Sequence, residues 1–440
     1  MIKVVKFGGS SVANSNQFMK VKQIVQAEPE RKFIVASACG KESHEDHKVT
    51  DLLYLVAAHI KYGVEYESIF HLIEDKYNEI KTTLNLSIDL DQEFAIIRDA
   101  MSKRWNTDYL VSRGEYLTSK LLAEYLNADF VDAADVIAFS YAGEIDMETT
   151  AANLSKVMKS DRKVVIPGFY GALPNGVIKV MSRGGSDITG SIIANIVEAD
   201  VYENWTDVSG IMVADPRIID HPASISRITY AELRGMSYMG ANVLHDDAVF
   251  PVRVKNIPIN VRNTNDPDHP GTMIVNDCSE LDMQEKIRPI TGITGKKDFT
   301  VITLTKSHAS AEVGFLRKIL SVFEDYKISI ESVPTTVDTF SVIVKSSAIE
   351  QYIYEIGARL RKEFNPDDLR IEDHMAIIAV VGRGMKNVPG MSGQVLSEFG
   401  KHQINIKVIN QSNDELSINV GVDNSDFEKA IHAIYDKFIA

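Results

Sequence analysis

A lysine and two glycines near the start of the chain form a pattern suited to phosphate chemistry. In the segment VVKFGGSSVA, an apolar strand that contains Lys6 leads directly into Gly8 and Gly9. A strand–glycine–helix junction presents backbone N–H groups and the positive end of a helix dipole to a phosphate, and we expect Ser10 or Ser11 to cap the helix. The spacing fits neither a Walker A loop nor GxGxxG. The alternative to a phosphate site is a tight strand–helix turn, with the lysine stem lying along apolar surface.

The same design recurs in the segment VMSRGGSDITGS. Arg183 precedes Gly184 and Gly185, and Asp187 stands at the start of the next helix. Two glycine-rich helix starts, each with one basic residue, predict a polyanion held from two sides. A surface ion pair between Arg183 and Asp187 is the alternative interpretation.

Two further stretches place polar side chains at the ends of predicted elements. VSRGEYLTSK puts Glu115 at the entrance to a helix, where an acid either complements the helix dipole or binds a substrate ammonium group. NWTDVSGIMVADPR ends a strand with Thr206 and Asp207 and continues to Arg217. Ligands of open α/β sheets bind beyond the carboxyl ends of strands, so these residues are candidates for a ligand site. We expect Trp205, in the same stretch, to fill the core.

The elements that must position these residues alternate between strand and helix. The strand-like runs are KVVKF, KFIVASA, ADFVDAADVI, KVVIPGFYGA, ADVYENWTD and IPINVRN. Stretches with helical periodicity, such as EYLTSKLLAEYLN and SIIANIVEAD, lie between them. This alternation predicts an α/β domain with a mainly parallel sheet between helices. Residues 51–106 lack a good strand pattern and are predicted to be a helical excursion.

An internal repeat follows this domain. Residues 313–333 align with residues 389–409, so that Gly314 matches Gly390. Each copy continues as strand and helix, which predicts two ferredoxin-like βαββαβ units. The second copy ends on its helix, and we expect it to take its last strand from residues 287–293, ahead of the first copy. The predicted domains are 1–285 for the α/β domain, 295–370 for the first unit, and 286–294 with 371–440 for the second.

Composition limits the class of protein. The chain has 440 residues, 45% hydrophobic and 25% charged, which suits a globular protein of about two to four domains. A formal net charge of −14 argues against a nucleic-acid partner. Cys39 and Cys278 form neither a CxxC pair nor a Cys/His cluster with zinc spacing, so we expect a reducing compartment and no protein-held metal. The sequence shows no signal peptide and no long apolar run, which predicts a cytoplasmic protein without a membrane partner.

Together, these motifs resemble the aspartate kinases of the amino-acid kinase family over essentially the whole chain. The family patterns appear here as KFGGSS, SACG followed by TDLL, SRGE, SRGGSD and TDVSGIMVADPR. The repeat resembles the paired ACT domains of these enzymes. The resemblance implies an amino-acid kinase fold followed by two ferredoxin-like ACT domains. It also implies ATP-dependent phosphorylation of the L-aspartate β-carboxylate to 4-phospho-L-aspartate, the first step of lysine, threonine and methionine biosynthesis.

The resemblance also implies roles for individual residues. Lys6 would stabilise the transferring phosphoryl group, and Asp187 would orient Lys6 and the substrate. The implied aspartate-binding residues are Ser37, Thr50, Glu115, Arg183 and Ser186. The implied nucleotide-binding residues are Lys6, Gly8, Gly9, Ser10, Thr206, Asp207, Met212, Arg217, Asn242 and Val243. Mg²⁺ is expected to accompany ATP, bound mainly through the nucleotide phosphates.

One segment departs from the family pattern. The family often has GAKVLHPRAV near the nucleotide, whereas residues 240–249 here read GANVLHDDAV. Asn242 therefore replaces an expected lysine, and Asp246 and Asp247 replace Pro-Arg. Three interpretations are open. The change weakens ATP binding, it leaves Arg217 to supply the positive charge near the phosphates, or it marks a subfamily.

The ACT pair implies regulation by an amino acid. By resemblance to lysine-sensitive members, the effector pocket would contain Phe315, Leu316, Ile330, Glu331 and Thr336. Glu331 would bind the ammonium group of a lysine effector, and threonine is the alternative effector. The alternative is that these are ordinary core and surface positions. Pairing of ACT units across a two-fold axis predicts a homodimer, with a tetramer as the alternative.

Three other functions are alternatives to a regulated aspartate kinase. An amino-acid kinase for another carboxylate, such as N-acetylglutamate, is disfavoured because an acylated amine needs no partner like Glu115. A degenerate kinase that senses amino acids is supported by Asn242, Asp246 and Asp247 alone. A bifunctional kinase–homoserine dehydrogenase is disfavoured because no dinucleotide-binding unit follows the repeat.

Overall fold

A computed structural model gives the fold of the chain as two compact units. It describes residues 1–43, 45–103, 106–159, 161–182, 184–241, 244, 246–278, 288–386 and 388–440. The first unit is Met1–Ile211 with Ser224–Ala231 and Asn242–Ser279, and the second is Met212–Ala223 with Glu232–Ala241 and Glu280–Ala440. This division differs from the predicted boundary at residue 285, because two short segments of the predicted first domain cluster with the second unit.

The first unit is built on a mainly parallel, eight-stranded sheet with the order β10-β12-β11-β7-β1-β2-β4-β3. Its strands are β1 (Lys3–Phe7), β2 (Arg31–Ala36), β3 (Asp129–Phe130), β4 (Val164–Pro167), β7 (Val201–Thr206), β10 (Arg227–Thr229), β11 (Ile259–Asn263) and β12 (Thr272–Val275). Short strands outside this sheet are β5 (Tyr170–Ala172), β6 (Ile178–Val180), β8 (Ile211–Met212) and β9 (Ser224–Ile225). This α/β architecture confirms the predicted fold class.

Helices accompany this sheet along the chain. They are α1 (Ser15–Ala27), α2 (Val49–Tyr62), α3 (Glu67–Thr83), α4 (Leu90–Lys103), α5 (Thr107–Leu126), α6 (Ala133–Val136), α7 (Met147–Val157), α8 (Gly185–Ile196) and α10 (Asp246–Val254). Between α8 and α10 in the sequence, α9 (Tyr230–Tyr238) belongs mostly to the second unit. The run ADFVDAADVI, predicted as one strand, is wrong as such, because β3 has two residues and α6 follows it. Asp132 caps α6 by accepting a hydrogen bond from the Ala134 N–H at 2.9 Å, which ends the extended backbone.

The helical excursion predicted at residues 51–106 contains α2, α3 and α4. On α3, Phe70, Ile73, Tyr77 and Ile80 recur at helical spacing and are fully buried in the hydrophobic core beside the sheet. The excursion is therefore part of the core of the first unit.

The second unit contains a six-stranded sheet with the order β14-β15-β13-β16-β18-β17. Its strands are β13 (Gly292–Thr305), β14 (Ile330–Ser332), β15 (Thr339–Lys345), β16 (Asp368–Val381), β17 (Val408–Gln411) and β18 (Ser417–Asp423). Its helices are α11 (Phe315–Asp325), α12 (Ser346–Ile349), α13 (Ile353–Phe364), α14 (Met391–Lys401) and α15 (Phe427–Phe438). The repeated order of strands and helices gives two ferredoxin-like units within one sheet.

Two long strands are shared by both ferredoxin-like units. β13 and β16 have 14 residues each and pair antiparallel along their length. The start of β13, Gly292–Lys296, pairs with the end of β16 in the second unit of the repeat, and its later part pairs with β15 in the first. Residue 287, at the start of the predicted donor strand, lies outside the described residues.

Packing of α11 gives a test of this fold. Phe323 lies on α11 and is 0% exposed, so Phe323→Ala should lower the free energy of unfolding by about 3–5 kcal/mol. Urea denaturation measures this loss when unfolding is monitored by a spectroscopic signal from the second unit. Glu324→Ala, at the exposed neighbouring position, should leave the unfolding midpoint nearly unchanged. An equal shift in both variants would contradict the described packing.

Candidate active site

The candidate site is centred on an ion pair at the carboxyl edge of the large sheet. The Lys6 Nζ lies 2.7 Å from Asp187 Oδ1, and Lys6 is 7% exposed. Lys6 on β1 is in register with Asn204 on β7, so both side chains lie on the same face of the sheet. Asn204 Nδ2 donates to the same Asp187 Oδ1 at 2.8 Å. Asp187 lies in the first turn of α8, where the helix dipole stabilises its charge.

The first glycine junction is fixed by backbone contacts to its neighbours. The Gly8 N–H donates to the Trp205 carbonyl at 2.9 Å, and the Gly40 N–H donates to the Gly9 carbonyl at 2.9 Å. A Cβ atom on Gly40 would lie 2.5 Å from the Gly9 carbonyl carbon, so the close approach requires glycine at position 40. We call residues 8–11 the glycine loop. The bonds to Trp205 and Gly40 hold its backbone in place from two sides.

The helix cap predicted at Ser10 or Ser11 is wrong. Asn14 caps α1 by accepting from the Gln17 N–H at 2.9 Å. Ser11 is buried and donates to the Trp205 carbonyl at 3.4 Å, while it accepts from Thr264 Oγ1 at 2.7 Å. Ser11 thus ties the glycine loop to the sheet instead of capping the helix.

Trp205 belongs to the core, as expected, and also holds the glycine loop. It is 1% exposed, and its ring stacks on Phe7 with a centroid distance of 6.1 Å. Its Nε1 donates to Glu203 Oε2 at 2.9 Å, and Glu203 forms a buried ion pair with Arg31 Nε at 2.8 Å. The buried ion pair therefore fixes the residue whose carbonyl accepts the Gly8 N–H.

The second glycine junction begins α8. Gly184 has φ 76°, a left-handed conformation that favours glycine. Ser186 is 8% exposed and packs closely on Gly168, where a Cβ atom would lie 2.6 Å from Ser186 Cβ. Arg183 lies outside the described residues. Asp187, which the alternative interpretation paired with Arg183, forms its described ion pair with Lys6.

Glu115 is a buried carboxyl group on α5. It is 4% exposed, and among the described residues Oε2 has no hydrogen-bond partner. Burial raises the pKa of Glu115 to about 8, although backbone N–H groups of Ala38 and Glu115 and the charge of Arg113 act to lower it. A buried carboxyl group with a free oxygen is suited to bind a cationic ligand.

Several predicted residues lie at strand ends on the same edge of the sheet. Ser37 follows β2, and its N–H donates to the Phe7 carbonyl at 3.1 Å. Thr206 ends β7 and donates to Asp207 Oδ1 at 3.2 Å, with Asp207 exposed. Thr50 lies in the first turn of α2 and is half-buried.

The remaining predicted nucleotide residues belong to other segments of the chain. Met212 and Arg217 belong to the second compact unit, and Arg217 forms an exposed ion pair with Asp215 at 2.5 Å. Asn242 and Val243 lie outside the described residues. The effect of the departure at residues 240–249 therefore stays a prediction.

The predicted effector residues lie in the first ferredoxin-like unit. Phe315 is 2% exposed and packs in the core against the Phe340 and Phe364 rings, with centroid distances of 5.1 and 5.5 Å. Leu316 and Ile330 are half-buried at the edge of the same core. Thr336 is exposed and donates its N–H to the Thr339 carbonyl at 2.8 Å.

Glu331 is the charged member of this group. Its side chain is 7% exposed, and Oε1 lies 3.7 Å from the Nζ of Lys345, whose side chain is half-exposed. The carboxylate of the pair is therefore nearly buried, and its ammonium group is open to solvent.

Sequence reasoning missed Asn204 and Gly40 as members of the site. Asn204 interrupts the apolar run of a buried strand, and that interruption is a signal that could have identified it. Gly40 gives a weaker signal, because its close contact with Gly9 depends on the pairing of β1 with β2.

Comparison with known proteins agrees with this fold. Residues 1–263 match the model of the amino acid kinase family, and residues 378–438 match an ACT domain model. The chain is 33% identical to aspartokinase 3 of Bacillus subtilis, with 100% of this chain and 99% of the relative covered. The crystal structure of Clostridium acetobutylicum aspartate kinase matches with a TM-score of 0.91 and 45% identity over 99% of both chains.

The fold extends to a more distant relative. E. coli aspartokinase III, solved in complex with aspartate and ADP and also with lysine and aspartate, matches with TM-scores of 0.76 and 0.77 at 23% identity over 100% of both chains. The chain belongs to the amino acid kinase family. Within that family it is one of the aspartokinases, the enzymes that phosphorylate aspartate.

In the part of the chain that the structure describes, no helix is long and apolar enough to cross a membrane. The same residues contain no group of three or more His, Cys, Asp or Glu side chains that could hold a metal ion.

Burial of Glu115 predicts a pH-dependent stability. The folded pKa of about 8 lies above the ordinary value of about 4.3 expected in the unfolded chain, so this contribution is fully present below the unfolded pKa and is lost as pH rises through the folded pKa. Without aspartate, the free energy of unfolding of the protein relative to Glu115→Gln should fall by about 1.4 kcal/mol per pH unit between about pH 6 and 8. Urea denaturation at several pH values measures this difference.

Parallel stability curves for the two proteins would contradict a raised pKa at Glu115. A difference that levels off above about pH 8 would support it.

Proposed function

We propose that this aspartokinase transfers the terminal phosphoryl group of ATP to the β-carboxylate of L-aspartate at the edge of the large sheet. The ion pair of Lys6 with Asp187, held by Asn204 beside the glycine loop, carries this proposal. Phosphoryl transfer needs rigid positioning and positive charge more than covalent chemistry. The E. coli relative solved with aspartate and ADP supports aspartate as the acceptor and an adenine nucleotide as the partner ligand.

Lys6 is assigned to stabilise the charge that develops on the transferring phosphoryl group. Its ammonium group donates to Asp187 and keeps further donors for phosphate oxygens, because an ammonium group has three N–H bonds. Gly9 and Ser10 are assigned to the phosphates, and Gly8, whose N–H donates to the Trp205 carbonyl, is assigned to the close approach of the loop to the phosphates. Thr206, Asp207, Met212, Arg217, Asn242 and Val243 are assigned to the rest of the nucleotide site.

Glu115 is assigned to the α-ammonium group of aspartate. Its free Oε2 gains an ionic partner when substrate binds, and that partner lowers the pKa of the carboxyl group. Arg183 is assigned to the substrate α-carboxylate, for which a guanidinium group offers two parallel hydrogen bonds. Ser37, Thr50 and Ser186 complete the aspartate site.

Mg²⁺ is proposed to accompany ATP. The ion is assigned mainly to the nucleotide phosphates, because Mg²⁺ in such sites keeps few protein ligands. When bound, the ion neutralises phosphate charge during transfer.

Lys6→Ala gives the direct test of the catalytic assignment. Acyl phosphate formed from ATP, Mg²⁺ and L-aspartate is trapped with hydroxylamine and measured as the hydroxamate. Turnover of Lys6→Ala should fall about 100- to 1,000-fold, with a much smaller change in the affinity for ATP, because the contact strengthens in the transition state. Lys255→Ala, which removes an exposed lysine of the same unit, should keep full turnover.

Two results would contradict this proposal. Wild-type protein that binds amino acids without turnover would favour the amino-acid sensor. Turnover of N-acetyl-L-aspartate equal to that of L-aspartate would remove Glu115 from ammonium recognition.

We propose that lysine inhibits the enzyme by binding near Glu331. The pair of Glu331 with Lys345 already joins a carboxylate to an ammonium group at the edge of the ferredoxin-like core, and a lysine effector offers a second ammonium group. Phe315, Leu316, Ile330 and Thr336 are assigned to the same pocket. The E. coli relative solved with lysine and aspartate supports lysine as effector, ahead of threonine.

Assembly and location are proposed on related grounds. A homodimer formed through the ACT domains would place effector sites at a subunit interface, with a tetramer as the alternative. The chain contains two cysteines in 440 residues, which supports a reducing, cytoplasmic location.

Glu331→Gln is expected to abolish inhibition by lysine and leave turnover without lysine unchanged. The amide keeps the shape of the side chain and removes the charge that an effector ammonium group requires. The hydroxamate assay with increasing lysine measures the inhibition. Glu324→Gln, at an exposed position of the same unit, should keep the wild-type response, and a wild-type response from Glu331→Gln would remove Glu331 from the effector site.

A further inference from the structure

We infer that Lys76 is a positioning residue for phosphoryl transfer, although it lies in the helical excursion. Lys76 is on α3, and its side chain is 12% exposed. Its Nζ donates to the Gly40 carbonyl at 2.7 Å, to Asp46 Oδ2 at 2.5 Å and to the His47 carbonyl at 3.4 Å. Three acceptors satisfy the three N–H bonds of the ammonium group.

These three acceptors belong to one loop, which we call the clamp loop and define as residues 40–48, with His44 outside the described residues. Asp46 closes the loop on itself, because its carboxylate accepts from the Glu42 N–H at 2.8 Å and from the His47 N–H at 2.7 Å. Burial acts to raise the pKa of Asp46, but the hydrogen bonds from Lys76, Glu42 and His47 outweigh it and keep the pKa below its ordinary value. The carboxylate is therefore charged wherever the enzyme works near neutral pH.

The clamp loop meets the site at both of its ends. At one end, the Gly40 N–H donates to the Gly9 carbonyl, and the two backbones are too close for a side chain at position 40. At the other end, the Val49 N–H donates to the Cys39 carbonyl at 3.0 Å, and α2 begins with Val49 and Thr50. Lys76 thus controls the backbone that supports the glycine loop and the start of the helix that carries Thr50.

The effect expected of Lys76 is on reaction geometry. Movement of about 1 Å in groups that orient the reacting phosphoryl can reduce turnover by about 100-fold. Lys76 touches neither of the residues assigned to the chemistry, Lys6 and Asp187, so substrate affinity should change less than turnover. This inference rests on the proposed role of the glycine loop in phosphate binding.

The cage of three oxygens suggests a specific test by chemical rescue. Lys76→Ala leaves the Gly40 carbonyl, the Asp46 carboxylate and the His47 carbonyl without the ammonium group that donates to them. A small primary ammonium ion, such as propylammonium, can replace the missing group and satisfy the same acceptors. In the hydroxamate assay, Lys76→Ala should lose turnover roughly 10- to 100-fold and regain it several-fold with propylammonium chloride.

Matched controls separate positioning from general stability. Sodium chloride at equal ionic strength should give no rescue. Arg98→Met removes ion pairs of α4 with Glu67 and Glu74 on the same helix as Lys76, without contact to the clamp loop, and should keep wild-type turnover. Asp46→Asn keeps the shape of the loop and removes one charge, so it should lower turnover without removing a buried side chain.

The outcomes decide the inference in each case. Rescue of Lys76→Ala by propylammonium, with reduced turnover in Asp46→Asn, supports it. Wild-type turnover of Lys76→Ala, or a loss that propylammonium does not restore, overturns it. If Lys76→Ala fails to fold, Asp46→Asn decides by itself: wild-type turnover of that variant overturns the inference. Inactive wild-type protein would instead count against the proposed function.

Discussion

The ion pair of Lys6 with Asp187 is the interaction on which the rest of the site depends. An ammonium group at the end of a buried strand loses most of its hydration and needs an anion and hydrogen bonds in return. Asp187 supplies the anion from the first turn of α8, and Asn204 holds it from the neighbouring strand. Loss of one partner of a buried pair costs about 3–5 kcal/mol. The pair therefore fixes the point where β1, β7 and α8 meet and gives the charge one position beside the glycine loop.

Close backbone packing is the constraint that keeps this pair in place. A Cβ atom on Gly190 of α8 would lie 2.6 Å from the Tyr202 hydroxyl, so glycine lets α8 approach β7. Tyr202 in turn donates to the Asp187 carbonyl at 3.1 Å. On the other side of the site, Gly40 allows the same close approach to Gly9. The charged groups are positioned by contacts that tolerate no side chain, and this makes the site rigid before any ligand binds.

The sequence predicts the charged members of this site better than the groups that hold them. Lys6 and Asp187 stand out because charge is rare in a buried strand and common in the first turn of a helix. The contact of Lys76 with Gly40 joins residues 36 positions apart through tertiary packing, and no local pattern reports it. The same limit explains the wrong helix cap predicted at Ser11. The Ser11 hydroxyl accepts a hydrogen bond from Thr264, which lies 253 positions away in the sequence. Local rules find residues that are unusual where they stand, and they miss ordinary residues that become important through distant partners.

The repeat extends this argument to regulation. Because β13 and β16 each serve both ferredoxin-like units, neither copy has four strands of its own. The proposed effector residue Glu331 lies on β14, which pairs with β15, and β15 pairs with β13. A shift of β14 on effector binding therefore acts on a ladder of hydrogen bonds that continues through β13 and β16 to the second copy. Packed sheets respond to such a shift as a unit, because their cores are nearly incompressible. In this arrangement, a shift of one copy reaches the other through the two strands that they share.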